Sequence, residues 1–138
     1  MNQTILNLSA AGIGVGITYA FGRWSELLAL FLIAIVIDYV SGVGASIMEH
    51  KGLSSDAGFK GVAKKMFMVL LVVLAHRMDM LLEVDWIMTG AICFYLANEL
   101  ISITENYGRM GLPLPDTVKQ VITVLKNKGA ETGHDHRA

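Results

Sequence analysis

Acids, amides and lysines set in apolar sequence are the residues of this chain with chemistry to offer. Asp38 is the single charged residue of the apolar run 27–48. A charge at the centre of a bilayer costs on the order of 2.5–3.5 kcal/mol by insertion scales, so such an acid is a functional candidate by default. Two readings stand side by side: Asp38 faces a water-filled lumen or a partner helix, or it is paired within one subunit, most obviously with Arg77. A second set lies further on. Asn98, Ser102 and Glu105 follow i, i+4, i+7 spacing, and Glu99, Ser102 and Asn106 follow i, i+3, i+7. Together they make a polar stripe on an otherwise apolar helix, which cannot face lipid comfortably. The stripe serves either internal hydrogen-bonded packing or a pore lining. The second use requires an oligomer, since three or four helices are too few to enclose a wide channel.

The third set is basic. Lys60 and Lys64 lie four apart with Lys65 beside them, a spacing suited to anionic lipid headgroups at roughly 1 kcal/mol per basic residue. The same stretch has one aromatic residue, Phe59, and no recognition module, so a nucleic-acid partner is not expected. There is no nucleophile–base pair, glycine-rich phosphate cradle or Cys/His metal spacing. The chain therefore reads as a non-enzyme with no cofactor and no metal. His134 and His136 are too sparse a pair to change that. The single cysteine, Cys93, allows no internal disulfide and reads as a small buried hydrophobe.

The elements that must position these residues are apolar. Hydrophobic residues make up 54% of the 138, and the net charge is −1; the mean hydropathy is +0.53. The expectation is an all-α membrane protein with three to four transmembrane helices and a short amphipathic C-terminal helix on the cytoplasmic side. As a helix, 27–48 is roughly 33 Å long, enough to cross a hydrocarbon core of about 30 Å. Segments 66–82 and 86–103 are separated only by 83–85 and should form a tight hairpin. Segment 5–22 carries Asn7, Ser9 and four glycines (Gly12, Gly14, Gly16 and Gly22). It either spans or lies at the interface, with Gly12 and Gly16 offering a small-residue face. No Lys or Arg precedes that run, so no secretory signal peptide is read. The membrane part is thus 1–106 and the remainder 107–138. In the remainder, Gly108, Gly111, Pro113 and Pro115 mark a turn. Val118, Val121, Ile122 and Leu125 then give an amphipathic helix over about 115–127, and the polar end should be disordered.

Charge sets the orientation. Lys51, Lys60, Lys64 and Lys65, with Arg109, Lys119, Lys126, Lys128 and Arg137, are nine of the 11 Lys and Arg. The positive-inside rule places both groups, and hence the C-terminus, in the cytoplasm and the 83–85 turn outside.

Several of these motifs resemble a phage holin family that includes bacteriophage lysis holins and holin-like proteins of clostridial toxin secretion. The run Gly52 to Lys65, with Ser54-Ser55, Gly58-Phe59, Gly61 and Lys64-Lys65, is similar to its cytoplasmic loop. Tyr95 to Asn106 resembles its last-helix signature, Gly111-Leu-Pro-Leu-Pro115 its C-terminal element, and Asp38-Tyr-Val-Ser-Gly42 a recurring Asp and Gly. The resemblance covers about 27 to 127. Family members often carry an Arg near the start of the final helix, where this chain has Trp86-Ile87-Met88-Thr89; the tail from Glu131 lies outside the resemblance. The resemblance implies a homo-oligomer in the host bacterial cytoplasmic membrane that opens lesions for an endolysin, without direct endolysin contact, or collapses the membrane potential. A small proton-coupled transporter or channel, with Asp38 or Glu99 titrating, is the alternative; a scaffold subunit of a membrane complex is a third reading.

Overall fold

The computed structural model describes residues 2–52, 54–120 and 123–124. Four helices follow one another: α1 (Gln3–Phe21), α2 (Glu26–Met48), α3 (Ser55–Leu82) and α4 (Ile87–Arg109). There is no strand among the described residues. α1, α2 and α4 are long and apolar enough to cross a membrane. α3 is the longest helix at 28 residues, but Lys60, Lys64, Lys65, Arg77 and Asp79 interrupt it, and it is not one of those three. The expected segment 66–82 is its second half.

Local signals explain the boundaries. Ser25 caps α2 by accepting from the Leu28 amide at 3.1 Å, and Ser54 caps α3 by accepting from the Ala57 amide at 3.1 Å. Asp56 in the first turn adds a favourable interaction with the helix dipole. α3 therefore begins at Ser55, and the stretch to Lys65, read above as a loop, is helical. At the other end Glu83 closes α3 in the left-handed region (φ 55°). The Asp79 carboxylate then reaches across the turn and accepts from the Ile87 amide at 2.9 Å and the Met88 amide at 2.8 Å. One buried acid thus satisfies two orphan donors at the start of α4.

The core runs between α2, α3 and α4. Leu28, Phe31 and Ala34 of α2 pack with Met68 and Val72 of α3 and with Ile92 and Leu96 of α4. Their spacing of three and four keeps each set on one helix face. α2 packs mainly on α4, and α3 on α4, while α2 and α3 touch at few positions. α1 has no buried residue and lies beside α3. The junction after it is tight: Gly22 has φ 68°, and a Cβ there would sit 2.7 Å from the His76 Cε1. Arg77 lies 4.4 Å from the centre of the Tyr19 ring, a cation–π contact that joins α3 to α1.

Residues 116–120 are helical. Much of the expected 115–127 helix, the polar end and the His134/His136 pair lie outside the described residues.

Candidate functional site

Antiparallel helices joined by a short link bring together residues equally far from the turn. Asp38 is ten residues before the end of α2, and Lys65 is ten residues after the start of α3. Arg77 lies twelve residues further along, about 18 Å away along the helix, which removes the Asp38–Arg77 pairing considered from sequence. The ammonium of Lys65 instead sits 2.6 Å from Asp38 Oδ2 and 2.6 Å from Glu99 Oε2. The three side chains are 14%, 11% and 5% exposed, so the triad is largely buried within the bundle. One lysine against two acids leaves a formal charge of −1.

Asn106 completes the cluster. Its Nδ2 donates to Asp38 Oδ1 at 3.1 Å and to Ser41 Oγ at 3.0 Å. Gly42 lies beside this contact, where a Cβ would stand 3.4 Å from Asn106 Nδ2. The Asn106 carbonyl oxygen accepts from Arg109 at 3.2 Å. Arg109 in turn makes a two-point bridge to Glu49, at 3.0 and 2.9 Å, and Lys51 lies 3.0 Å from the same acid. Those cations hold the Glu49 carboxyl at about 2, well below its ordinary 4.5, with the Arg109 hydrogen bonds the larger cause and Lys51 the next. Among the described residues no buried side-chain polar atom lacks a hydrogen-bond partner.

A cavity of about 460 Å³ opens beside the cluster between α2, the first half of α3 and α4. Asp38, Tyr39, Lys65, Ser102 and Asn106 line it together with Gly52, Gly58 and Gly61. At the opposite end of the bundle a separate cavity of about 500 Å³ is lined by Tyr19, Gly22, His76, Asp79 and Met88 among others. The two share no lining residue, and the apolar core of Phe31, Val72 and Ile92 is fully buried.

The sequence-derived candidates are thereby sorted. Asp38 and Glu99 meet, Ser102 lines the adjoining cavity, and Lys65 belongs with them instead of beside the exposed Lys60 and Lys64. Asn98 and Glu105 are exposed on another face of α4, because successive residues turn by about 100°. Cys93 is also exposed, contrary to the buried role expected of it. Asn106 belongs to the stripe read from sequence through its i+7 spacing to Glu99, and its bonds to Asp38 and Ser41 add a partner that the spacing did not give. Asp79 was not singled out, because it needed the hairpin geometry, which a linear pattern does not display. Among the described residues no three His, Cys, Asp or Glu side chains form a metal-binding group.

Comparison with known proteins adds an independent line. Residues 15–127 match the bacteriophage holin family. An uncharacterized protein of Halalkalibacterium halodurans is 40% identical over 130 residues, covering 90% of this chain and 96% of that protein. An uncharacterized protein of Listeria monocytogenes is 40% identical over 135 residues, covering 97% and 96%. A probable holin of Bacillus phage phi105 is 32% identical over 110 residues, covering 79% and 80%. No solved structure matches.

Proposed function

The chain belongs to the bacteriophage holin family, and on that premise we propose that it assembles laterally in the bacterial cytoplasmic membrane. The assembly opens lesions that release an endolysin, or a toxin, or collapse the membrane potential, and so leads to lysis of the host. One observation carries the lateral step. Within a single copy Lys65 bridges Asp38 and Glu99 between the helices, and the cavities at the two ends share no lining residue. A passage for a folded enzyme therefore has to form between copies. Endolysin needs no direct contact with this chain in that scheme, and no step of it calls on catalysis or nucleic acid.

We place the link between α2 and α3, residues 49–54, and the chain after α4 on the cytoplasmic side, with the first turns of α3 entering the membrane from it. The Glu49–Arg109 bridge supports a shared side by tying the end of α2 to the end of α4. Lys60 and Lys64, both exposed, then meet anionic headgroups. In a Cys93→Ala background, a membrane-impermeant thiol reagent should modify a cysteine at position 84 in intact cells and spare one at position 57. Labelling at 57 would reverse the orientation.

The function is tested by inducing the chain with an endolysin at graded copy number while viability and endolysin release are followed. A threshold followed by abrupt death and release is expected. The cavity that reaches Asp38 and Lys65 from one end favours one other reading, a proton-coupled transporter. That reading gives proton flux in proportion to copy number and no release of endolysin.

A further inference from the structure

The structure separates two residues that adjoin in sequence. Glu99 is 4% exposed and bonded to Lys65, while Asn98 faces outward. Asn98 lies halfway along α4, a helix long and apolar enough to span a bilayer. At the midpoint of a helix about 34 Å long that crosses a bilayer, an outward carboxamide would face hydrocarbon, where an unmet polar group costs several kcal/mol in general. Its side chain is too short to reach the interface as Lys or Arg does.

The surroundings of Asn98 have a regular pattern. Ile87, Ala91, Phe94, Asn98, Ile101 and Glu105 follow one another at spacings of four, three, four, three and four. That alternation is the ridge of a left-handed helix pair, in which an asparagine meets its own counterpart across the seam. From Phe94 onward the ridge lies to one side of the buried set Ile92, Leu96, Glu99 and Asn106, while Ala91 near its start also packs on the core. Phe94, next to Asn98 on it, is 63% exposed, although the core-facing Tyr95 follows at once.

We propose that this ridge of α4 is a homotypic interface, and that its partner is the same ridge of a second copy. A carboxamide carries both donor and acceptor, so two Asn98 side chains related by a two-fold axis satisfy one another reciprocally. This assigns a contact surface to the assembly proposed above and rests on that reading only for its purpose, since the contact is measured without lysis. It also divides the labour on α4: Glu99 and Asn106 hold the single copy together, and Asn98 joins copies.

The test uses the full chain in vesicles. With Cys93→Ala as background, Phe94→Cys should form a disulfide-linked dimer on mild oxidation, and Ile101→Cys should do so as a second reporter. The wild-type chain, whose Cys93 is exposed but points away from the ridge, should give far less. Adding Asn98→Leu should reduce the dimer at both reporters. Loss of two reciprocal hydrogen bonds of average membrane strength corresponds to about an eightfold fall in association. Dimer yield at 94 and 101 no greater than at 93 would overturn the interface. Yields unchanged by Asn98→Leu would overturn the role of the amide. Modification of Asn98→Cys by a water-soluble maleimide in the closed membrane would place the residue in water and overturn both. Ridge dimers from a chain that never permeabilises membranes would refute the lytic reading alone.

Discussion

At the α3–α4 turn, Asp79 gives its two carboxylate oxygens to the amides of Ile87 and Met88, donors fixed by the backbone. At the other end Asp38 and Glu99 share one ammonium, carried by Lys65 on four methylenes. Both ends bury acids inside the same three helices, yet the physical consequences differ. Backbone donors cannot leave, so the Asp79 cap makes the hairpin a rigid unit. The ammonium of Lys65 has only to swing away, and the first ten residues of α3 that carry it are exposed or half-buried. The cavity lies along that same half of α3. The comparison predicts that the Asp79 end stays fixed under conditions in which the Lys65 end rearranges.

The strongest way to break this contrast is Lys65→Met. It leaves two carboxylates buried without a cation, and removal of one partner from a buried pair costs about 3–5 kcal/mol. A large fall in thermal stability in detergent is expected, with Lys65→Arg recovering much of it. The combination Lys65→Met, Asp38→Asn, Glu99→Gln should be more stable than Lys65→Met alone, because no uncompensated charge remains. If it is not, the cluster does not act through charge.

Asp79→Ala should cost less, about 1.5–3 kcal/mol for hydrogen bonds made to a charged group. Its damage should stay local: faster hydrogen exchange at the Ile87 and Met88 amides, with the Lys65 cluster intact. In cells Asp79→Ala should lower accumulation in the membrane, whereas Asp38→Asn should alter the timing of lysis with insertion intact. Interchange of those two phenotypes would erase the distinction between the ends.

The smallest effect belongs to Glu49, on the surface at the Lys65 end. Its carboxyl is held at about 2 against an ordinary 4.5. A depressed carboxyl stabilises the folded chain above its unfolded value and loses that contribution as pH falls through the folded one. The contribution is thus complete above pH 4.5 and fades toward about 2. Arg109→Gln should flatten stability across that window, as read by thermal unfolding in detergent at a series of pH values.

The helices were legible in the sequence because the apolar runs 5–22, 27–48 and 86–103 and the short 83–85 turn leave little choice. The start of α3 was harder. Ser54-Ser55-Asp56 is a helix start signal, but glycines at 58 and 61 lower the helical pattern around it. Reading that stretch as a loop set Lys65 at the membrane surface with Lys60 and Lys64. Starting the helix at Ser55 moves Lys65 about 15 Å inward, opposite Asp38. The stripe on α4 was visible as a pattern, but spacing alone could not assign its two edges to different neighbours. α1 is the element whose weakness was plainest: its glycines lower helix propensity, and in the structure none of its residues is buried.

The central claim is that copies of this chain join to open the membrane, and vesicle leakage tests it most directly. Purified protein is reconstituted at increasing protein-to-lipid ratio into vesicles loaded with dextrans as large as a folded enzyme. The account predicts release of those dextrans that rises much more steeply than in proportion to protein, and that Asn98→Leu shifts to higher ratios. Proton leakage in simple proportion to protein, with the dextrans retained at every ratio, would contradict it.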